Sequence, residues 1–234
     1  MMFGRRKVAT IVAEFLGTGA LTLLILSVQR STIGVPFFVA AAAGLTIALM
    51  VFAVGATSGG YFNPAITLGL WTARKLETVT AVLYIAAQFL GGWLAYYLYT
   101  YLVKSTLQPV GGHYTGRILV AEAVGTALFS FGVASAIYQG FSRAVTASFV
   151  GLSLMVGVVA ASPAAIGLLN PAVALGVRAW VWGTYVLGPV LGAIIGINLY
   201  SLLFAEPEKA TVKVASASAA VTKPAAKKAK RTKK

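Results

Sequence analysis

Ser58-Gly59-Gly60-Tyr61-Phe62-Asn63-Pro64-Ala65-Ile66-Thr67-Leu68-Gly69 and Ala165-Ile166-Gly167-Leu168-Leu169-Asn170-Pro171-Ala172-Val173-Ala174-Leu175-Gly176 are two copies of one stretch. At residue frequencies near ~5%, Asn-Pro-Ala is expected at about one position in 8,000, or roughly 0.03 times in a chain of this length. Two copies, each followed by Ile or Val, one residue and then Leu-Gly, are not chance. Physically the tripeptide is a helix start. Asn is a strong N-cap, and Pro suits the first helical position, where its missing N–H costs nothing. The capping oxygen faces the helix, which leaves the amide NH2 as outward donors. With the partial charge of about +0.5 at a helix N-terminus, each copy is a positive, donor-only end.

Composition says where these ends sit. Of 234 residues, 59% are hydrophobic and 10% charged, and the mean hydropathy is +0.85. A soluble globule is about a quarter charged, so the chain reads as an integral membrane protein. The net charge of +14 is concentrated after Glu206; it reads as a solvated or lipid-facing tail and not as a nucleic-acid-binding surface. Arg5-Arg6-Lys7 leads into a span too long for the apolar core of a cleavable signal.

Six apolar stretches are long enough to cross a hydrocarbon core of about 30 Å: 8–29, 36–56, 79–103, 117–138, 144–162 and 180–204. The Asn-Pro-Ala segments, 63–72 and 170–178, are left over. Nine or ten helical residues rise only about 14 Å, so these are half-helices, tolerated at membrane depth only when buried or beside a wet cavity.

The repeat extends further. Ala13-Glu14-Phe15-Leu16-Gly17-Thr18 returns as Ala121-Glu122-Ala123-Val124-Gly125-Thr126, and Gly44-Leu45-Thr46 returns as Gly151-Leu152-Ser153. The offsets are 107 or 108 residues throughout. Each half, about 8–103 and 117–204, therefore holds three spans and one half-helix. Three is odd, so the second half enters from the opposite side and the halves are inverted. Their Asn-Pro ends then meet near the midplane. Lys and Arg favour cytoplasmic termini, with Arg5, Arg6, Lys7, Arg74, Lys75, Arg143 and nine tail residues inside, against Arg30, Lys104, Arg117 and Arg178 outside. Residues 1–206 form one membrane domain, and 207–234 read as a disordered Lys/Ala-rich cytoplasmic tail. Gly188, Gly192 and Gly196 allow close helix contacts in the last span.

At this point the chain resembles the aquaporin, or major intrinsic protein, family. The resemblance covers about residues 8–204 and rests on both Asn-Pro-Ala boxes, the paired Ala-Glu-x-x-Gly-Thr segments, Gln88 and Gly188-Pro189. It implies an all-α bundle of six transmembrane helices and two half-helices, and one pore per subunit in a homotetramer. It further implies passive passage of water or small neutral solutes such as glycerol, urea or ammonia. The expected membrane is the plasma membrane or an intracellular one such as the endoplasmic reticulum. No cofactor, metal or enzymatic constellation is expected.

Members of the family carry a second constriction beyond the asparagines. By count from the motifs it falls on Ala43, Val158, the backbone near Gly167, and Val173. Here the sequence departs from the pattern. Val173 stands where most members have Arg, and Ala43 where an aromatic is usual; the missing Arg is similar to the small intracellular aquaporins of plants. This constriction is expected to be wide and apolar. Arg178 lies five residues on, about 7.5 Å along the axis and rotated by about 140°, and cannot fill the gap. Asn63, Pro64, Ala65, Asn170, Pro171 and Ala172 are the expected pore midplane. Glu14 and Glu122, as intramembrane carboxylates, demand a role; the resemblance implies that they accept N–H bonds from the half-helix loops. Two other readings use the same residues: a proton-coupled transporter working through Glu14 and Glu122, and a non-conducting structural protein of the same fold. His113, the only histidine, is expected in a solvated loop.

Overall fold

A computed structural model describes residues 4–31 and 35–205; the tail reading for 207–234 lies outside the described residues. The elements are α1 (Arg5–Gln29), α2 (Pro36–Ser58), α3 (Pro64–Thr72), α4 (Thr78–Val103), α5 (Gly116–Tyr138), α6 (Arg143–Ala161) and α7 (Pro171–Gly176). A π segment, Trp182–Val186, then runs into α8 (Leu187–Leu203). No strand occurs among the described residues. Six of these helices, counting the π segment with α8, are long and apolar enough to cross a membrane. Their outward faces suit hydrocarbon: Leu45 and Leu49 of α2 are 73% and 66% exposed.

Packing follows the repeat. Helix α1 lies on α4 as α5 lies on α8, while α2 and α6 pack on each other. That central contact is close because both repeat-related glycines face it. A Cβ on Gly44 would sit 2.7 Å from the Gly151 carbonyl oxygen, and one on Gly151 would sit 2.5 Å from that of Gly44. In α8, side chains at Gly192 and Gly196 would collide with the carbonyls of Ala123 and Ala127 on α5.

Two ends differ from the expected boundaries, each for a local reason. Both half-helices stop at an arginine in the left-handed region, Arg74 (φ 58°) and Arg178 (φ 63°). The next N–H then folds back, Lys75 to the Leu70 carbonyl and Ala179 to that of Ala174, each at 2.9 Å. This Schellman-type closure comes sooner in the second copy, so α7 has six residues against nine in α3. The last span begins as a π segment because Pro189 has no N–H for the Tyr185 carbonyl, and its ring would crowd that group in a regular helix.

Candidate functional site

The loops entering α3 and α7 carry the site. Asn63 caps α3 by accepting the Ala65 N–H at 2.8 Å. Asn170 caps α7 by accepting the N–H groups of Ala172 and Val173, at 3.0 and 3.3 Å. The amides then cross between halves. Asn63 Nδ2 donates to the Leu169 carbonyl at 2.8 Å, and Asn170 Nδ2 donates to the Phe62 carbonyl at 2.9 Å. Each NH2 carries two protons, so one donor per asparagine remains once this cross-tie is made. Pro64, Ala65, Pro171 and Ala172 are buried as the first turns behind these caps.

The residues before the asparagines, Phe62 and Leu169, have φ values of 49° and 53°. Neither side chain favours the left-handed region, which costs a non-glycine residue of the order of 1–2 kcal/mol. What holds them there is the Ala-Glu-x-x-Gly-Thr segment. Glu14 accepts the Tyr61 and Phe62 N–H groups at 3.1 and 2.7 Å, and Glu122 accepts those of Leu168 and Leu169 at 3.1 and 2.8 Å. Glu14 also accepts from Ser58 Oγ (2.7 Å) and Gln88 Nε2 (2.8 Å). The glycine that follows leaves room for the strained residue. A Cβ on Gly17 would fall inside the Phe62 ring, and one on Gly125 would sit 2.8 Å from Leu169 Cδ2. The threonines, Thr18 and Thr126, donate to the carbonyls of Glu14 and Glu122.

Two cavities flank this centre. The first is lined by Asn63, Asn170, Ala43, Val158, Gly167, Leu168, Leu21, Ile25, Val39, Ile47, Leu154 and Phe129. The second is lined by Val51, Gly59, Gly60, Tyr61, Ile66, Phe129, Val133, Ala136, Ile137, Thr146 and Val150. Neither Glu14 nor Glu122 lines either one. Three of the four counted outer positions meet in the first cavity. Val173 does not; it is fully buried in the first turn of α7. Arg178 Nη1 donates to the Leu107 carbonyl instead of entering the cavity, and Arg30 Nη2 donates to that of Gln108 at 2.9 Å. These guanidiniums hold the connection between the halves over the end of α7. His113 is exposed in that connection.

Sequence reasoning missed most of the apolar lining. A signal for it exists: Leu21 and Phe129, Ile25 and Val133, Val51 and Val158, and Ala43 and Val150 are each 107 or 108 residues apart. Within each of these pairs one member lines the first cavity and the other the second, Phe129 lining both. A path formed by inverted halves is lined by repeat-related residues, whatever their type.

A family model described as major intrinsic protein matches residues 5–200. The chain belongs to the major intrinsic protein family. Aquaporin Z of Photorhabdus laumondii is 30% identical over 233 residues, covering 87% of this chain and 99% of that relative. Glycerol uptake facilitator protein-like 6 of Lactiplantibacillus plantarum is 30% identical over 210 residues, covering 79% and 93%. The X-ray structure of the aquaglyceroporin from Plasmodium falciparum superposes with a TM-score of 0.70 at 18% identity, over 84% of this chain and 96% of that one, and so shares the fold. A major intrinsic protein with six apolar helices of spanning length is an integral, multi-pass membrane protein.

Proposed function

We propose that this protein is a passive channel for water and small uncharged solutes, with the permeating molecule passing between the first and second cavities at the Asn63–Asn170 pair. The observation that carries this reading is the cross-tie: two helix N-termini from opposite halves face one point, and each asparagine keeps one free amide proton there. Such a point binds the oxygen of a neutral molecule and repels a cation. Ala43, Val158 and Gly167 leave the far end of the first cavity without a fixed charge or an aromatic ring, which favours solutes larger than water. Relatives named for water and for glycerol are about equally similar to the chain.

The carboxylates do not support proton coupling. Every Glu14 and Glu122 oxygen accepts a loop N–H or a side-chain donor, away from both cavities. The working unit is residues 1–206, with both termini cytoplasmic by the distribution of Lys and Arg, and with four copies assembled as the family resemblance implies. Stopped-flow scattering of proteoliposomes against water, urea and glycerol gradients tests the reading. Shrinkage followed by solute-driven recovery faster than in empty vesicles is expected for at least one solute besides water. Water conduction with urea and glycerol at empty-vesicle rates would contradict the wide outer end.

A further inference from the structure

We infer that Phe129 of α5 is the residue that sets the size and polarity limit of the passage, acting as an apolar gate between the two cavities; this rests on the channel reading above. Among the described residues Phe129 alone lines both cavities, so the space on either side is separated at its ring. The side chain is 1% exposed. Its repeat mate in α1 is Leu21, which lines the first cavity only. The inverted halves thus place a leucine and a phenylalanine at equivalent positions, and the larger ring occupies the junction.

The ring is held there by the backbone. Helices α5 and α6 touch at Gly125 and Gly157, where a Cβ on either would sit 2.5 Å from the other's carbonyl oxygen. A Cβ on Gly157 would also lie 3.2 Å from Phe129 Cβ. Helix α5 therefore lies close against α6 at this level, with Phe129 directed to the two cavities that it lines. Of the residues lining the first cavity only Asn63 and Asn170 have polar side chains, and Phe129 offers no hydrogen bond in return. A molecule passing here exchanges its water shell for two donors and an apolar wall, as hydrophobic constrictions require. Small solutes with one or two acceptors tolerate this exchange better than those with many hydroxyls. The ring must also turn aside for anything bulkier than water.

The test uses Phe129→Leu, Phe129→Ala, Val158→Ala and Phe131→Leu in proteoliposomes, against water, urea, glycerol and erythritol. Phe131 is on the same helix but packs with Tyr200 and Phe204 outside both cavities, so it controls for altered helix packing. Phe129→Leu keeps most of the core volume, which covers the case in which the alanine variant does not assemble. The expected result is a rise in glycerol and erythritol flux, about threefold or more for Phe129→Leu, a change of only ~0.7 kcal/mol in barrier. Val158→Ala should raise these fluxes less, and Phe131→Leu should leave the solute ranking as in wild type. Unchanged ranking in both Phe129 variants, or an equal shift in Phe131→Leu or Val158→Ala, would overturn the gate. A wild type silent to all four solutes that opens on Phe129→Ala supports it. Silence of every preparation to water and solutes alike would instead overturn the channel reading on which it rests.

Discussion

An asparagine amide can cap a helix, brace a neighbouring loop and still present a proton to a third partner, because its oxygen and its two N–H groups act independently. Asn63 and Asn170 use that capacity twice over, and aspartate cannot. Asn63→Asp or Asn170→Asp turns a donor into a charged acceptor facing the Leu169 or Phe62 carbonyl, and reverses the local field. Potassium conductance across a planar bilayer is expected to rise above wild type in either variant; a folded variant with no added conductance would contradict the placement of the pair on the path. The glycine of Ala-Glu-x-x-Gly-Thr has an equally specific task. Gly17→Ala drives a methyl group into the Phe62 ring, and overpacking of this kind costs about 1–3 kcal/mol. Gly4→Ala meets open space. The thermal midpoint in detergent should fall for the first substitution and hold for the second.

Each half-helix loop works as a unit with the glutamate that braces it. Glu14→Gln places an NH2 against donors and leaves at least one loop N–H unsatisfied, at about 1–3 kcal/mol per group. Glu122→Gln meets the same fault with fewer partners, since Glu14 alone receives Ser58 and Gln88. Glu14→Gln should therefore lower the unfolding midpoint more than Glu122→Gln, and both should reduce solute flux more than their stability loss explains. Equal midpoints for the two variants would contradict this asymmetry. These units were legible in the sequence because their chemistry is repeated nearly verbatim: a cap, a proline, a carboxylate and a glycine each leave a distinct residue type. The lining was not legible. Leu21, Leu154 and Phe129 are single apolar residues on apolar helices, and in a chain without a water-facing side nothing marks the inward face. The π segment was missed for a related reason. Pro189 announces a lost hydrogen bond, but the helix absorbs it by widening through Trp182–Val186, which residue type alone does not specify.

At the scale of the whole molecule, the proposed channel reading assigns exclusion of charge to two inverted halves and not to any one ion pair. A cation at their meeting point faces two half-charges about 5 Å away, roughly 3 kcal/mol of repulsion at an effective dielectric near 20. Loss of its water shell adds several kcal/mol more. On that reading a water held by both amides would present its oxygen to them, breaking the orientation needed to hand a proton along. The account therefore expects proton exclusion even with Val173 in place of an arginine. Val173→Arg is expected to narrow the first cavity and lower glycerol flux; unchanged flux in a folded variant would show that α7 holds position 173 away from the path. The most direct measurement of the central claim uses wild-type proteoliposomes with a trapped pH dye and an imposed potassium diffusion potential. Glycerol or urea recovery is followed by light scattering in the same preparation. The account predicts solute flux above empty vesicles, unaffected by the potential, with internal pH drifting no faster than in empty vesicles. Proton entry that follows the potential, or solute flux that requires a proton gradient, would contradict it.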